Sequence, residues 1–327
     1  MADPSRIDAS SLQSGPSGCL SELEWLQLLK RIKEGRCTPF LGAGVNHGLV
    51  PLGADIAKKW ASEYGYPLAD CHDLARVAQY LALTGPERVF PKEQIQEMFK
   101  DLHPATLSAP NHLLAALADL PLPIYITTNY DDFMFRALKS RGKEPHVELC
   151  SWNPALHSQA AVHYSKSVLD GRVQESIQIA GFGPSRFASR SFVPTVASPV
   201  VYHFHGHYKL LDSMVLTEND YLDFLVNMSR DQKLLHPRIK EALTAASLLF
   251  IGYSLSDYNF RVLFRGLIHP LAETRRLSVS IQLPQTYEAS AVDYLNRYFE
   301  EFKIKVYWGS AEQFAEELRM RWAKFNS

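Results

Sequence analysis

The sequence predicts an α/β fold with a mostly parallel, doubly wound sheet. Short apolar runs alternate with amphipathic helical segments, an alternation typical of parallel strands that are joined by helices. Two of the apolar runs also end in a glycine turn, as strands do where they lead into a helix. A length of 327 residues and a hydrophobic fraction of 46% suit one α/β unit with insertions.

The first helix is predicted from its capping residues. Ser21 is an N-cap candidate with Glu24 three residues later, helical spacing continues through LEWLQLLKRIKEG, and Gly35 is a stop signal. Residues 1–20 are rich in Ser, Pro, Gly and Asp, so we expect them to be disordered. The folded unit is then expected to span residues 21–327.

Seven apolar runs are strand candidates: CTPFLGAG, PIYITTNYDD, HVELCSW, VVYHFHGH, LLFIGYS, LSVSIQL and KIKVYWG. Between the first two, residues 52–120 are helical by pattern and form a predicted helical insertion. Residues 153–199 have poor periodicity, and we expect an irregular insertion there.

Composition and charge argue against several classes of protein. A formal net charge of -1 gives no global basic field for nonspecific nucleic-acid binding. The apolar stretch 243–255 is too short to span a bilayer and no secretory signal is evident, so we expect a soluble, cytoplasmic protein without a membrane partner. The cysteines lack the paired CxxC spacing of a zinc module; they are Cys19, Cys37, Cys71 and Cys150.

The run FLGAGVN places Gly42 and Gly44 where the first strand ends. A dinucleotide pyrophosphate needs close backbone approach and free N–H groups at such a turn. The full GxGxxG pattern is absent, however, and a tight connection without a ligand is an equally good interpretation.

The run ITTNYDDF places Asn129 and Asp131 after the second strand. Because ligands bind at the carboxyl ends of strands in an open parallel sheet, both side chains are expected near the glycine turn. Either residue taken singly is more often a cap for the helix that begins near Asp132.

The run YHFHGHY carries His203, His205 and His207 at alternate positions, which on a strand would place three imidazoles on one face. This spacing also admits a metal site, although no supporting carboxylate motif accompanies it. Ordinary buried strand histidines are the third interpretation.

The run LLFIGYSLSDYN repeats the strand–glycine–polar pattern late in the chain. Gly252 marks the turn, and Ser254 and Ser256 are able to hydrogen-bond ribose hydroxyls. Asp257 is a candidate cap for the next helix.

In this order, the GAG turn, TTNYD, the His-Gly pair and GYSLSDYN resemble the sirtuin family, most closely its zinc-free branch in bacterial antiviral defence proteins. The similarity spans roughly residues 30–320 and implies a Rossmann-like domain that binds NAD, without a zinc ribbon. The resemblance implies Asn129, His205 and Asp131 as catalytic residues. The implied cofactor-binding residues are Gly42, Ala43, Gly44, Val45, Asn46, Thr128, Gly252 and Ser254.

In the implied mechanism, neutral His205 accepts a proton from a ribose hydroxyl, Asn129 orients water, and Asp131 lies near the nicotinamide. Asn46 stands where the family often has serine. The missing CxxC pairs remove the zinc module of deacylating sirtuins and favour NAD hydrolysis to nicotinamide and ADP-ribose, or a cyclic variant of it. The resemblance implies NAD depletion in antiphage defence by abortive infection.

Three alternatives remain at the level of sequence: a zinc-free deacylase or ADP-ribosyltransferase, a non-catalytic NAD or ADP-ribose sensing module, and a metal hydrolase built on the three histidines. The hydrolase interpretation needs no metal. Because unrestrained NAD hydrolysis would kill its host, the resemblance also implies control by homo-oligomerisation or by a separate partner protein, such as an ATPase or nucleic-acid sensor.

Overall fold

Nine strands of the described residues form one sheet. The structure, a computed structural model, describes residues 20–100, 102, 112–153, 156, 161–169, 172–179, 192–231, 234–253, 277–282 and 289–327. The strands are β1 (Cys37–Leu41), β2 (Ile124–Thr127), β3 (His146–Leu149), β4 (Ala161–Leu169), β5 (Arg172–Ile179), β6 (Val200–His203), β7 (Ser247–Ile251), β8 (Ser278–Gln282) and β9 (Ile304–Trp308). All seven predicted strands are confirmed.

The strand order is β5-β4-β3-β6-β2-β1-β7-β8-β9. Every neighbouring pair from β3 to β9 is parallel, which confirms the predicted α/β class. β2 to β6 all lie on one side of β1 in the sheet, and β7 to β9, which come later in the chain, lie on the other side. The carboxyl ends of β1 and β7 therefore form the switch point at which open α/β sheets bind ligands.

Helices cover both faces of this sheet. In the part of the chain that the structure describes they are α1 (Glu22–Lys33), α2 (Gly53–Tyr64), α3 (Leu74–Thr84), α4 (Phe90–Lys100), α5 (Leu113–Asp119), α6 (Phe133–Ser140), α7 (Glu218–Arg230), α8 (Pro237–Thr244), α9 (Ala289–Glu300) and α10 (Ala311–Asn326). The predicted capping box of α1 is confirmed, since Ser21 and Glu24 bond each other reciprocally. None of the helices described is long and apolar enough to cross a membrane.

The sheet has a core on each face, which explains why its central strands are almost continuously apolar. One core is built with α1, α5, α6 and α10, and the other with α7, α8 and α9. A third cluster joins α2, α3 and α4 to Tyr208 and Met214, just after the predicted His-Gly pair. The helices between β1 and β2 are thereby packed beside the carboxyl ends of the central strands.

Within residues 153–199, where we expected an irregular insertion, residues 161–169 and 172–179 form strands, whereas residues 192–199 contain neither helix nor strand. β4 and β5 pair antiparallel, and β4 joins β3 with Val147 opposite Val162. These strands contain many polar residues and show no clear apolar alternation, so periodicity could not identify them. The Asp170–Gly171 dipeptide between them is a hairpin signal that could have done so. Residues 1–19, expected to be disordered, lie outside the described residues.

Candidate active site

Glycines at the end of β1 allow it to touch the end of β7. The N–H of Gly42 donates to the carbonyl of Ile251 (2.8 Å), and that of Gly44 donates to the carbonyl of Gly252 (3.0 Å). A Cβ on either Gly42 or Gly44 would stand 2.8 Å from the main chain of Gly252, whose own φ is +80°. The N–H groups proposed for a phosphate are thus hydrogen-bonded inside the protein in this conformation, and the glycines are required for close packing.

The 3-10 turn Ala43–Asn46 joins the end of β1 to the start of α6. Asn46 Nδ2 donates to Asp131 Oδ2 (2.6 Å), and the N–H of Phe133 donates to Asp131 Oδ1 (2.9 Å). Asp131 therefore caps α6 and holds Asn46 at once. Burial raises the pKa of the Asp131 carboxyl to about 6 although both hydrogen bonds favour its charged form. Asn46 Oδ1 is buried without a partner among the described residues.

Asn129, just beyond the end of β2, is held by three hydrogen bonds. Its N–H donates to Thr127 Oγ1 (3.0 Å), and its Nδ2 donates to the carbonyl of Gly42 (3.0 Å). Its own carbonyl accepts from His203 Nδ1 at 3.0 Å. In the described part of the chain nothing donates to Asn129 Oδ1, so this half-buried side chain retains an acceptor for a ligand.

The three histidines do not share a strand face, which corrects the prediction from their spacing. β6 ends at His203, and Gly206 with φ +82° turns the chain immediately afterwards. A Cβ at Gly206 would collide with the carbonyl of Ser213, so only glycine fits this turn. As a result His203 and His207 lie together, with ring centroids 4.9 Å apart, and His205 lies apart from them.

The imidazole of His205 lies among aromatic rings of α7, with centroids 5.3 Å from both Tyr221 and Phe224. Burial lowers the pKa of His205 to about 3 and that of His203 to about 4, and it lowers the pKa of His207 as well. All three rings are therefore neutral at neutral pH. Within the described ranges the Nε2 atom of each is buried without a hydrogen-bond partner.

Residues 123–307 match the family model described as SIR2-like domain, which is more than half of the chain. The chain belongs to the SIR2-like family. It is also similar to proteins named NAD(+) hydrolase ThsA: 23% identical over 248 residues to that of Acinetobacter baumannii (74% of this chain, 42% of the relative) and 24% over 256 residues to that of Enterococcus faecium (76% and 44%). The ThsA of Cytobacillus dafuensis is 26% identical over 234 residues (71% and 38%). The chain spans less than half the length of these curated relatives.

The predicted residues of the candidate site lie after four neighbouring strands, β6, β2, β1 and β7. Those after β1 and β2 are in direct contact, through Asn46 with Asp131 and Asn129 with Gly42. The backbone N–H of Thr128 donates to the carbonyl of Leu41 at the end of β1 (3.0 Å). The residues Ser254, Ser256 and Asp257 lie outside the described residues. No group of three His, Cys, Asp or Glu side chains among the described residues is arranged to hold a metal ion.

Sequence reasoning missed the residues that hold this SIR2-like site together. Tyr253 OH donates to the carbonyl of Leu41 (2.9 Å) and lies 2.7 Å from Thr128 Oγ1, while Gln282 Nε2 donates to the Tyr253 carbonyl (2.7 Å). Thr127 Oγ1 supports Asn129 in the same way. Their only signal was position, since each lies at or just beyond the carboxyl end of a predicted strand.

Replacing Asn46 by a second carboxylate beside the buried Asp131 should make the stability of the protein depend on pH. In an Asn46→Asp variant two carboxyls share one buried site, so the pair resists losing its protons and its pKa rises above that of the unfolded chain. The protonated pair therefore contributes to the free energy of unfolding at low pH, and this contribution is lost as the pH rises through the folded pKa. Urea unfolding should show a larger loss relative to wild type at pH 8 than at pH 5, and an equal loss at both would contradict the arrangement.

The three neutral histidines predict acid sensitivity of the fold. In the unfolded chain each binds a proton below about pH 6.5, whereas the buried rings do not, so the free energy of unfolding falls by about 1.4 kcal/mol per histidine and pH unit from pH 6.5 toward 4. Asp131 opposes this below pH 6 because its folded pKa is raised. Urea unfolding between pH 7 and 5 should show a shallower pH dependence for His205→Gln, and an unchanged one for the exposed His72→Gln.

Proposed function

We propose that this chain is an NAD+ glycohydrolase that cleaves the nicotinamide–ribose bond to give nicotinamide and ADP-ribose. The observation that carries the proposal is the meeting of Asn129 with the glycine turn at Gly42, beside the histidine turn that follows β6. These elements follow the carboxyl ends of β1, β2 and β6, beside the switch point between β1 and β7, where open α/β sheets bind ligands. The relatives named NAD(+) hydrolase support the same reaction.

His205 and Asn129 are the proposed reacting groups. Loss of nicotinamide develops positive charge on the ribose, as in other glycosyl transfers. His205 is kept neutral by burial, so its lone pair is available to accept a proton from a ribose hydroxyl. The ring then carries the positive charge, and the ribose oxygen carries the negative charge beside the developing cation. Asn129 Oδ1 accepts from the attacking water, while its other contacts hold the carboxamide in place.

Asp131 and Asn46 are proposed to act together on the nicotinamide end. Both carboxylate oxygens of Asp131 accept hydrogen bonds inside the protein, so we assign the direct contact with the nicotinamide carboxamide to Asn46 and the positioning of Asn46 to Asp131. The buried Asn46 Oδ1 would accept from the carboxamide N–H₂, which satisfies an atom without a described partner.

The glycine turn and its neighbours are proposed to bind the rest of NAD. Gly42, Ala43, Gly44 and Val45 line the end of β1, opposite Gly252 at the end of β7. Two of their N–H groups already bond the β7 end, so a pyrophosphate would gain its contacts by competing with those bonds. Thr128 is the proposed ribose contact on the β2 side, and Ser254 on the β7 side.

Control of the activity is proposed to lie in assembly. A cytoplasmic NAD hydrolase in antiphage defence would kill its host if it were always active, so it must be restrained until it is triggered. We propose homo-oligomerisation as the control, which a separate partner protein, such as an ATPase or nucleic-acid sensor, would promote. Activity should then rise more steeply than protein concentration; a fully active monomer would contradict it.

Product analysis tests the proposed function. The purified full chain is incubated over a range of protein concentrations with NAD, and separately with NAD plus an acetyl-lysine peptide, and the products are identified by mass spectrometry. Nicotinamide released at the same rate with and without peptide supports hydrolysis. Release that requires the peptide, or NAD that binds without being consumed at any protein concentration, would contradict it and favour a deacylase or a sensing module.

A further inference from the structure

The position of the proton on the His203 ring follows from the hydrogen bond that the ring makes to Asn129. Its ring is fully buried, and its Nδ1 lies 3.0 Å from the carbonyl oxygen of Asn129. A carbonyl oxygen only accepts hydrogen bonds, so Nδ1 must carry the ring proton. Burial lowers the pKa of His203 to about 4, so the ring is neutral near pH 7 and holds one proton. Nε2 is then a bare acceptor, without a partner among the described residues.

His207 has the opposite arrangement. The backbone N–H of Lys209 lies 3.2 Å from His207 Nδ1 and donates to it, so Nδ1 must carry the lone pair. Burial also lowers the pKa of His207, and the single proton of the neutral ring is on Nε2. That Nε2–H is a buried donor that lacks a described partner.

The two rings are therefore complementary. His207 has a buried donor and His203 a buried acceptor, and the two ring centroids lie 4.9 Å apart at an interplanar angle of 72°. Each unsatisfied buried group costs about 1–3 kcal/mol, so a link from His207 Nε2 to His203 Nε2 through one buried water is favoured. The charged side chains near the two histidines form an ion pair with each other, since Arg136 Nε lies 2.8 Å from Asp132 Oδ1.

We propose that His203 is a positioning residue for Asn129, and that His207 holds His203 by donating from Nε2 toward the His203 Nε2. The chain His207–His203–Asn129 fixes the backbone carbonyl of Asn129 from behind, while Gly42 fixes its carboxamide. The catalytic acceptor, Asn129 Oδ1, is thereby held without any contact between His203 and NAD. This inference rests on the proposed function and adds to it two histidines outside the reacting pair.

Substituting each of the two histidines by asparagine or glutamine tests which ring nitrogen is needed for activity. The nitrogen of asparagine overlaps Nδ1 of histidine and that of glutamine overlaps Nε2. His203→Asn should therefore keep the bond to Asn129 and most of the activity, while His203→Leu should lower kcat for NAD cleavage by about 10- to 100-fold with KM nearly unchanged. At His207 the order reverses, with Gln better than Asn. His146 at the amino end of β3 is the control, and His146→Asn should leave both constants unchanged.

Ring protonation in the wild-type protein provides a second readout, which does not depend on activity. Long-range ¹⁵N–¹H correlation spectra of the histidine-labelled full chain, assigned with the single variants, should show Nδ1–H at His203 and Nε2–H at His207. The competing acceptor is the carbonyl of Gly206, which also favours the charged His203 ring. A His203 ring protonated at Nε2 would mean that the ring bonds Gly206, and would overturn the proposal.

The activity series separates this inference from the proposed function. Wild-type protein that consumes no NAD contradicts the proposed function, and the spectra still decide the arrangement of the rings. Active wild-type protein with unchanged kcat in His203→Leu, or with Asn and Leu equally impaired at position 203, contradicts the positioning role alone.

Discussion

Asn129→Ala and His205→Ala should each lower the rate of NAD cleavage by at least about 100-fold, the range in which a positioned acid–base group contributes. Asn129→Ala removes the acceptor for the attacking water together with the Nδ2 bond to Gly42. His205→Ala removes the neutral imidazole that takes the ribose proton. The rate is measured as nicotinamide release at saturating NAD.

Folding controls decide how such a loss is interpreted. Both variants should unfold cooperatively in urea, since Asn129 is half-buried and His205 contributes aromatic contacts but no described bond from Nε2. Asn227→Ala is a matched control for Asn129: Asn227 also donates from Nδ2 to a backbone carbonyl, that of Trp152 (3.1 Å), but lies on α7. Wild-type rates in both Asn129→Ala and His205→Ala would contradict the assignment of the site.

Gly252→Ala should unfold or severely destabilise the protein. Gly252 has φ +80°, and an added Cβ would stand 2.7 Å from the carbonyl oxygen of Gly42 and 2.9 Å from the nitrogen of Gly44. The left-handed backbone alone costs a residue with a side chain about 1–2 kcal/mol. The collision adds to this, because both neighbours are main-chain atoms just beyond the end of the central strand β1 and cannot move aside as a flexible side chain can.

Gly65→Ala separates the cost of the left-handed backbone from the cost of the collision. Gly65 ends α2 with φ +70°, and nothing lies within 4 Å of the position that an alanine Cβ would take there. Its alanine variant should lose only the backbone contribution, so urea unfolding should find Gly252→Ala less stable by a further few kcal/mol. Equal losses at the two positions would mean that the ends of β1 and β7 do not pack as closely as described.

The fold was predictable from sequence because its signals are local. The capping box at Ser21, the glycine stop at Gly35 and the buried apolar strands each depend on neighbouring residues along the chain. Asn129 and the glycine turn were also predictable as neighbours, because parallel strands bring their carboxyl ends together.

The contacts that shape the site depended on tertiary structure and could not be predicted. The alternate spacing of histidines indicated one strand face, but Gly206 ends the strand and pairs His203 with His207 instead. Likewise, the two interpretations of Asp131 were not exclusive: it caps α6 through one carboxylate oxygen and binds Asn46 through the other. A one-dimensional pattern contains no signal for that second partner, 85 residues away.

The central claim is that this SIR2-like site transfers the ADP-ribosyl group of NAD to water. Incubating the full chain with NAD in ¹⁸O-labelled water and analysing early time points by mass spectrometry tests it most directly. We expect nicotinamide and ADP-ribose in equal amounts, with one ¹⁸O atom in the ADP-ribose, and at least about 100-fold less of both products from Asn129→Ala. Nicotinamide released without labelled ADP-ribose, or NAD left intact, would contradict the claim.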